Sequence, residues 1–254
     1  VILLPLVNVV VKWTYRIIPK QAHESAFRFE YIDPNMVGSP AVLSLQVGRE
    51  VERMCDMVRK NVSDAAEGLI QNDIMSANVI REREQVIDYL ASEITDYLTK
   101  VNALQLPQSV SNYMGCVFHV INDLEQIGDH AIKILVQTEK CVEMGQSYSQ
   151  AAQDELRQIY QMDMDLLDKT MKLFRGQRPT PESWLDMKLQ ERTITKLAVK
   201  AQSNHMERLQ EKTCTFEQGL TFIESLNSLT RIVNHVMNIA EASGSELLLN
   251  TARE

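Results

Sequence analysis

The chain has 254 residues, enough for one large domain or two small ones with a buried core. Hydrophobic residues at 44% and charged residues at 24% are typical of globular proteins, while 6% aromatic residues, 9 Gly and 7 Pro favour long helices over sheets. A net charge of -8 without a stripe of Lys and Arg argues against nucleic-acid binding, and four cysteines without a Cys-x-x-Cys pair argue against a zinc finger.

The N-terminal residues 1–18 include the apolar run VILLPLVNVVVKW, which is too short to span a bilayer by itself. Two interpretations compete: a buried helix, or the end of a transmembrane helix that starts upstream, with Trp13 and Tyr15 at the membrane interface. We prefer the second, and the basic residues near Trp13 then place the rest of the chain in the cytoplasm. Residues 19–40 contain three prolines and no steady periodicity, so they are predicted to form a linker.

From residue 41 onward, apolar residues recur at helical spacing almost throughout. The predicted helices span about 41–71, 73–101, 108–143, 149–175, 181–212 and 216–243. Long helices joined by short connections fold back antiparallel, so residues 41–145 and 146–254 are each predicted to form a three-helix bundle.

The two halves form an internal repeat. The segment LEQIGDHAIKI at 124–134 aligns with LTRIVNHVMNI at 229–239, and Leu, Ile, His and Ile recur at equal offsets. The predicted fold is therefore all-α, with two pseudosymmetric antiparallel three-helix bundles preceded by the end of a transmembrane helix.

Paired acids occur on two helices of the first half. Glu84 and Asp88, and likewise Glu125 and Asp129, are four residues apart and so share one helix face. Like charges at this spacing destabilise a helix by about 0.2–0.5 kcal/mol. If the two helices are neighbours, the four carboxylates converge, and oxygen ligands from facing helices suit hard or borderline cations. The alternative interpretation is a solvated acidic edge.

Neighbouring residues refine this prediction. Gly128 lies inside the helix, where glycine costs about 1 kcal/mol relative to Ala and usually indicates close approach of a neighbour. His119 and His130 are candidate nitrogen ligands, although His130 points away from Asp129 and is interpreted as a packing or hydrogen-bonding residue. In the second half, neutral side chains replace the acids at Thr195, Thr230 and Asn234, so a metal is expected only in the first half.

These motifs resemble the PhoU family of phosphate-uptake regulators. The similarity rests on L-E-x-I-G-D-H-A in the third helix, E-x-x-x-I-D in the second helix and a weaker copy in the second half, and it runs from about 41 to 243. It implies two pseudosymmetric three-helix bundles and a divalent-cation or iron cluster on Glu84, Asp88, Glu125 and Asp129. The Arg that usually follows the Glu of the motif is Gln126 here.

The apolar N-terminus followed by YIDPNMVGSPAVLSLQVGREVERM at 31–54 is similar to a junction in bacterial Na/Pi cotransporter proteins. This resemblance implies a PhoU-like domain at the C-terminus of such a cotransporter, on the cytoplasmic side of the inner membrane. Its partner would be the chain's own membrane transport domain, with a homodimer as a second association. The preferred function is regulation of sodium-dependent phosphate uptake without enzymatic activity.

Two alternatives remain open. The first is a free-standing PhoU-type regulator that contacts a phosphate ABC transporter and a sensor kinase. The second is a carboxylate-bridged metalloenzyme, which is disfavoured because the Glu-x-x-His motifs of di-iron oxidases and any Ser/His/Asp or Cys/His arrangement are missing.

Overall fold

The structure, a computed structural model, describes residues 27–33, 39–102 and 106–251, with the side chains of 27–33, 39–101 and 106–244. Within these residues the chain forms helices and no strand. The helices are α1 (Pro40–Gln71), α2 (Ala77–Asn102), α3 (Gln108–Glu143), α4 (Gln150–Phe174), α5 (Pro181–Gln210) and α6 (Phe216–Thr251). The predicted all-α fold is confirmed, and most helix ends lie within a few residues of their predicted positions.

Two helix ends differ from prediction. Asn72 adopts a left-handed conformation with φ 56° and closes α1, and the Asp73 carboxylate accepts a hydrogen bond from the Met75 amide at 2.9 Å. Asp73 thus stabilises a turn instead of capping α2, which begins four residues later at Ala77. At the other end of the chain, α6 continues beyond Gly244 because an isolated glycine weakens a helix without ending it.

Each bundle is built from one repeat. Helix α1 places Leu43, Val47, Val51, Met54 and Val58 at helical spacing in the core, where none is more than 1% exposed. Burying one such side chain stabilises the fold by about 1.5–3 kcal/mol. The bundles pack against each other mainly through α3 and α6, with α1 and α4 also in contact. The third helices of the two repeats therefore form the centre of the molecule.

Part of the predicted linker packs onto the first bundle. Ile32 is 5% exposed, and the rings of Phe27 and Phe29 make edge contacts with Tyr89 and Tyr97 on α2. Residues 27–33 are thus a packed segment and not a free connection. The transmembrane interpretation of 1–18 concerns residues outside the described part of the chain. No helix within the described part is long and apolar enough to cross a membrane.

Candidate carboxylate site

The four predicted acids lie on two neighbouring helices. An open groove of about 460 Å³ runs between α2 and α3, and Asp88, Glu125 and Asp129 line it. This carboxylate groove also contains Asp96, while its apolar wall includes Phe118, Ile121 and Ala91. Glu84 does not line the groove but lies in the interior, 7% exposed. The structure therefore brings three carboxylates to one surface and places the fourth beneath it.

Glu84 is held between three helices. Its Oε2 accepts a hydrogen bond from Asn61 Nδ2 on α1 at 3.1 Å, while its Oε1 is enclosed without a hydrogen-bond partner in the described structure. Gly128 on α3 makes room for it, because a Cβ atom there would lie 2.8 Å from Oε2 and 2.9 Å from Oε1. The glycine inside α3 is thus explained by the close approach of a carboxylate.

The electrostatic surroundings oppose ionisation of this group. Burial raises the pKa of Glu84 to about 8, the charges of Asp88, Asp129 and Glu125 contribute to the rise, and the Asn61 hydrogen bond opposes it. Burial and the charge of Asp129 also raise the pKa of Asp88. Glu84 therefore keeps a proton at neutral pH unless a positive charge reaches the groove.

The donor set fits a hard cation chemically, although its present arrangement is not that of a formed metal site. Four carboxylates and one oxygen of Glu84 without a partner supply the hard oxygen ligands that such ions require. Within the described residues, however, no group of three or more His, Cys, Asp or Glu side chains is placed to hold a metal ion. Metal binding therefore stays a prediction.

Comparison with known proteins assigns the first bundle. Residues 51–138 match the family model described as the PhoU domain. The match extends from α1 into α3 and includes all four carboxylates. The chain carries a PhoU domain.

Individual relatives extend the similarity beyond the PhoU domain. A Burkholderia sp protein named phosphate-specific transport system accessory protein PhoU homolog is 23% identical over 213 residues, which cover 78% of this chain and 87% of that protein. A protein of the same name from Clostridium acetobutylicum is 33% identical over 88 residues, 34% of this chain and 40% of that protein. The crystal structure of PhoU from Pseudomonas aeruginosa has a TM-score of 0.74 at 24% identity, covering 82% of this chain and 98% of that chain. The PhoU fold is therefore shared.

These relatives correct the preferred functional prediction. They are named as accessory proteins of phosphate-specific transport systems, and the Burkholderia protein matches over most of its own length. The assignment to a sodium-dependent cotransporter is therefore wrong. It relied on residues 1–18, which lie outside the described structure, and on the resemblance of residues 31–54 to a cotransporter junction.

The two candidate histidine ligands do not reach the carboxylate groove. His119 is exposed, and its ring contacts Phe118 edge-on at 6.2 Å between centroids. His130 faces α6, where its ring centroid lies 5.7 Å from that of His235. Burial, together with the charges of Lys133, His235 and Arg231, lowers the pKa of His130 to about 4. His130 therefore belongs to the packing between the two bundles, as its position on the helix predicted.

In the second bundle, neutral residues stand at three of the four matching positions, while Glu191 is retained at the position of Glu84. The hydroxyl groups of Thr195 and Thr230 donate hydrogen bonds to the carbonyl oxygens of Glu191 and Leu226 on their own helices. Asn234 is exposed. None of these neutral groups can balance the charge of a multinuclear cation cluster. The two repeats therefore differ in their capacity to bind cations as well as in their sequences.

The contact of Asn61 with Glu84 was not predicted from the sequence. Asn61 is fully buried, and besides Glu84 it contacts Arg83, whose Nη1 donates to Asn61 Oδ1 at 2.8 Å and to Asp64 Oδ2 at 2.9 Å. In the sequence this asparagine resembles the start of a glycosylation sequon, Asn61-Val-Ser63. Its position on the apolar stripe of α1 was the available signal for a buried polar contact.

Proposed function

We propose that this chain is a non-enzymatic, PhoU-type regulator that acts on a phosphate-specific transport system and on the signalling coupled to it. The observation that carries the proposal is the match over 213 residues to an accessory protein of such a system. The PhoU domain at 51–138 and the shared fold support it. In this proposal the partner is a separate phosphate transporter, and the regulator works at the cytoplasmic face of the inner membrane.

Deleting the gene tests this function in the cell. Uptake of radiolabelled phosphate in phosphate-rich medium, and the output of a phosphate-starvation reporter, are expected to change several-fold because the regulator is absent. Restoring the gene should return both to their original levels. Unchanged uptake and unchanged reporter output in the deletion strain would contradict the proposal.

We further propose that the carboxylate groove binds a divalent cation or an iron cluster through Glu84, Asp88, Glu125 and Asp129. The buried Glu84 oxygen without a partner and the raised pKa of Glu84 support this, because a cation would supply the missing positive charge. Bound metal would stabilise the two helices against the repulsion of their acids. It would also require Glu84 to give up its proton.

Metal content of the purified protein tests the groove. We expect the double variant Glu125→Ala/Asp129→Ala to lose most of the iron, manganese or zinc measured by mass spectrometry, because both α3 ligands are removed. The matched control, Asp186→Ala/Glu241→Ala, removes two exposed acids of the second bundle and should keep the wild-type content. Equal metal content in all three proteins would rule out this site while leaving the regulatory function open.

A further inference from the structure

The packing between α3 and α6 contains two matching sets of polar residues, which we call the histidine seam. Each set occupies positions i, i+3, i+7 and i+10 of its helix, and so lies on one face. The offset that aligns 124–134 with 229–239 also aligns these two sets. They are Asp123, Gln126, His130 and Lys133 on α3, and Ser228, Arg231, His235 and Asn238 on α6.

One side of the histidine seam contains both a carboxylate and its hydrogen-bond partners. His235 Nδ1 lies 2.8 Å from Asp123 Oδ1, which also accepts a hydrogen bond from Asn238 Nδ2 at 3.1 Å. Asp123 is 7% exposed, so its charge is largely removed from water. Because a buried carboxylate requires such donors, His235 and Asn238 together form its binding site.

The other side has the donors without the carboxylate. Ser228 replaces Asp123, and its hydroxyl donates to the Glu224 carbonyl oxygen of its own helix at 3.0 Å. His130 replaces His235, and its Nδ1 is enclosed without a hydrogen-bond partner in the described structure. Lys133 replaces Asn238. This side of the histidine seam therefore lacks a hydrogen-bond acceptor at the position that Asp123 occupies on the first side.

The charge of this second side is positive. Lys133 and Arg231 both act electrostatically on the His130 ring, and within the described residues neither forms an ion pair. Lys133 follows His130 by three residues on α3, while Arg231 precedes His235 by four on α6, so both lie along the seam. Two exposed cationic side chains thus act on a ring nitrogen without a partner, on the side of the seam where Ser228 stands in place of the carboxylate.

We propose that this side of the histidine seam binds a small oxyanion of the phosphate type, which takes the place of the carboxylate missing at Ser228. Lys133 and Arg231 supply the opposite charge, and the His130 ring donates a hydrogen bond from Nδ1 in the tautomer that carries its proton there. The anion would join α3 to α6 as Asp123 does on the other side. The site rests on the repeat and its contacts, and it stands independently of the regulatory function.

Titration of purified full-length protein with inorganic phosphate tests the site, by calorimetry and by the NMR signals of the His130 ring. Ser228→Asp places a carboxylate where the anion binds. It should weaken phosphate binding at least about tenfold, because the new carboxylate then occupies the anion-binding position. Lys133→Ala and Arg231→Ala should each weaken it about tenfold by removing a charged contact. Lys200→Ala, which removes an exposed lysine of α5, is the matched charge control and should bind like wild type.

The outcomes separate the alternatives. Equal binding of sulfate supports an oxyanion site without selectivity, whereas weaker binding of sulfate supports selectivity for phosphate. No binding to the wild-type protein at millimolar phosphate would overturn the proposal. So would a folded Ser228→Asp protein, verified by circular dichroism, that binds phosphate as tightly as wild type. Because binding is measured on purified protein and regulation in cells, failure of one leaves the other test intact.

Discussion

Replacing Glu50 by alanine is expected to lower the free energy of unfolding by about 3 kcal/mol, because the change removes a buried carboxylate that pairs with Arg53 and accepts two backbone hydrogen bonds. Glu50 lies on α1 and is fully buried. Its Oε2 accepts hydrogen bonds from the backbone amides of Glu30 at 3.0 Å and Tyr31 at 2.8 Å, and its Oε1 accepts one from Arg53 Nε at 2.6 Å. One carboxylate therefore holds both Arg53 and the packed segment 27–33.

The measurement is urea unfolding followed by circular dichroism, with proteolysis as a second readout. Loss of Glu50 should make the chain around Glu30 cleavable under native conditions, since two backbone amides there lose their acceptor. Glu52→Ala is the matched control: Glu52 lies on the same helix but is half-exposed and pairs with Arg175 at 3.2 Å. It should cost less than about 1 kcal/mol. Similar losses for both variants would refute the special role of Glu50.

The sequence predicts the helices of this chain well because their apolar periodicity is strong. Hydrophobic spacing predicts the apolar stripe of α1, which is buried in the structure, and the three helices of each repeat, which the structure also contains. The shared face of Glu125 and Asp129 also follows from spacing alone, since it depends only on the geometry of one helix. Structure within one helix can therefore be predicted from the sequence of that helix.

Contacts between helices are harder to predict because periodicity gives a face and not its neighbour. Nothing in the spacing of α1 places Asn61 against Glu84, or Glu50 against residues 27–33. The pairing of Asp123 with His235 likewise requires the register of α3 against α6, which lie far apart in the chain. These polar contacts position the candidate sites. The geometry of the sites therefore cannot be predicted before the packing between the helices is known.

The buried acid Asp163 lies in the second bundle on the apolar stripe of α4. It is fully buried, and both carboxylate oxygens lack a hydrogen-bond partner in the described structure. Burial alone raises its pKa well above the usual value of 3.8. The folded protein therefore keeps Asp163 protonated at a pH where the unfolded chain has already lost that proton.

This difference makes Asp163 destabilising above its ordinary pKa. Between the unfolded and the folded pKa the native state binds one proton more than the unfolded state, so stability falls as pH rises through that window. The slope is about 1.4 kcal/mol for each pH unit. Below the unfolded pKa both states are protonated, and the penalty disappears.

Replacing Asp163 by asparagine is therefore expected to stabilise the protein at pH 7 by about 2 kcal/mol, because an amide of nearly the same shape cannot ionise in the unfolded chain. The gain should shrink as pH falls toward about 4, the ordinary pKa of an aspartate. Chemical unfolding of both proteins at three pH values between about 4 and 7 measures this gain in stability.

A neighbouring acid supplies the control with the opposite sign. Asp165 is exposed, and hydrogen bonds from Lys169 and Gln190 lower its pKa, so its contribution is present at neutral pH and lost on acidification. Asp165→Asn should thus leave stability unchanged or slightly reduced at pH 7. An Asp163→Asn protein that is no more stable than wild type at pH 7, or whose gain does not vary with pH, would show that Asp163 is not the proton-holding group in this core.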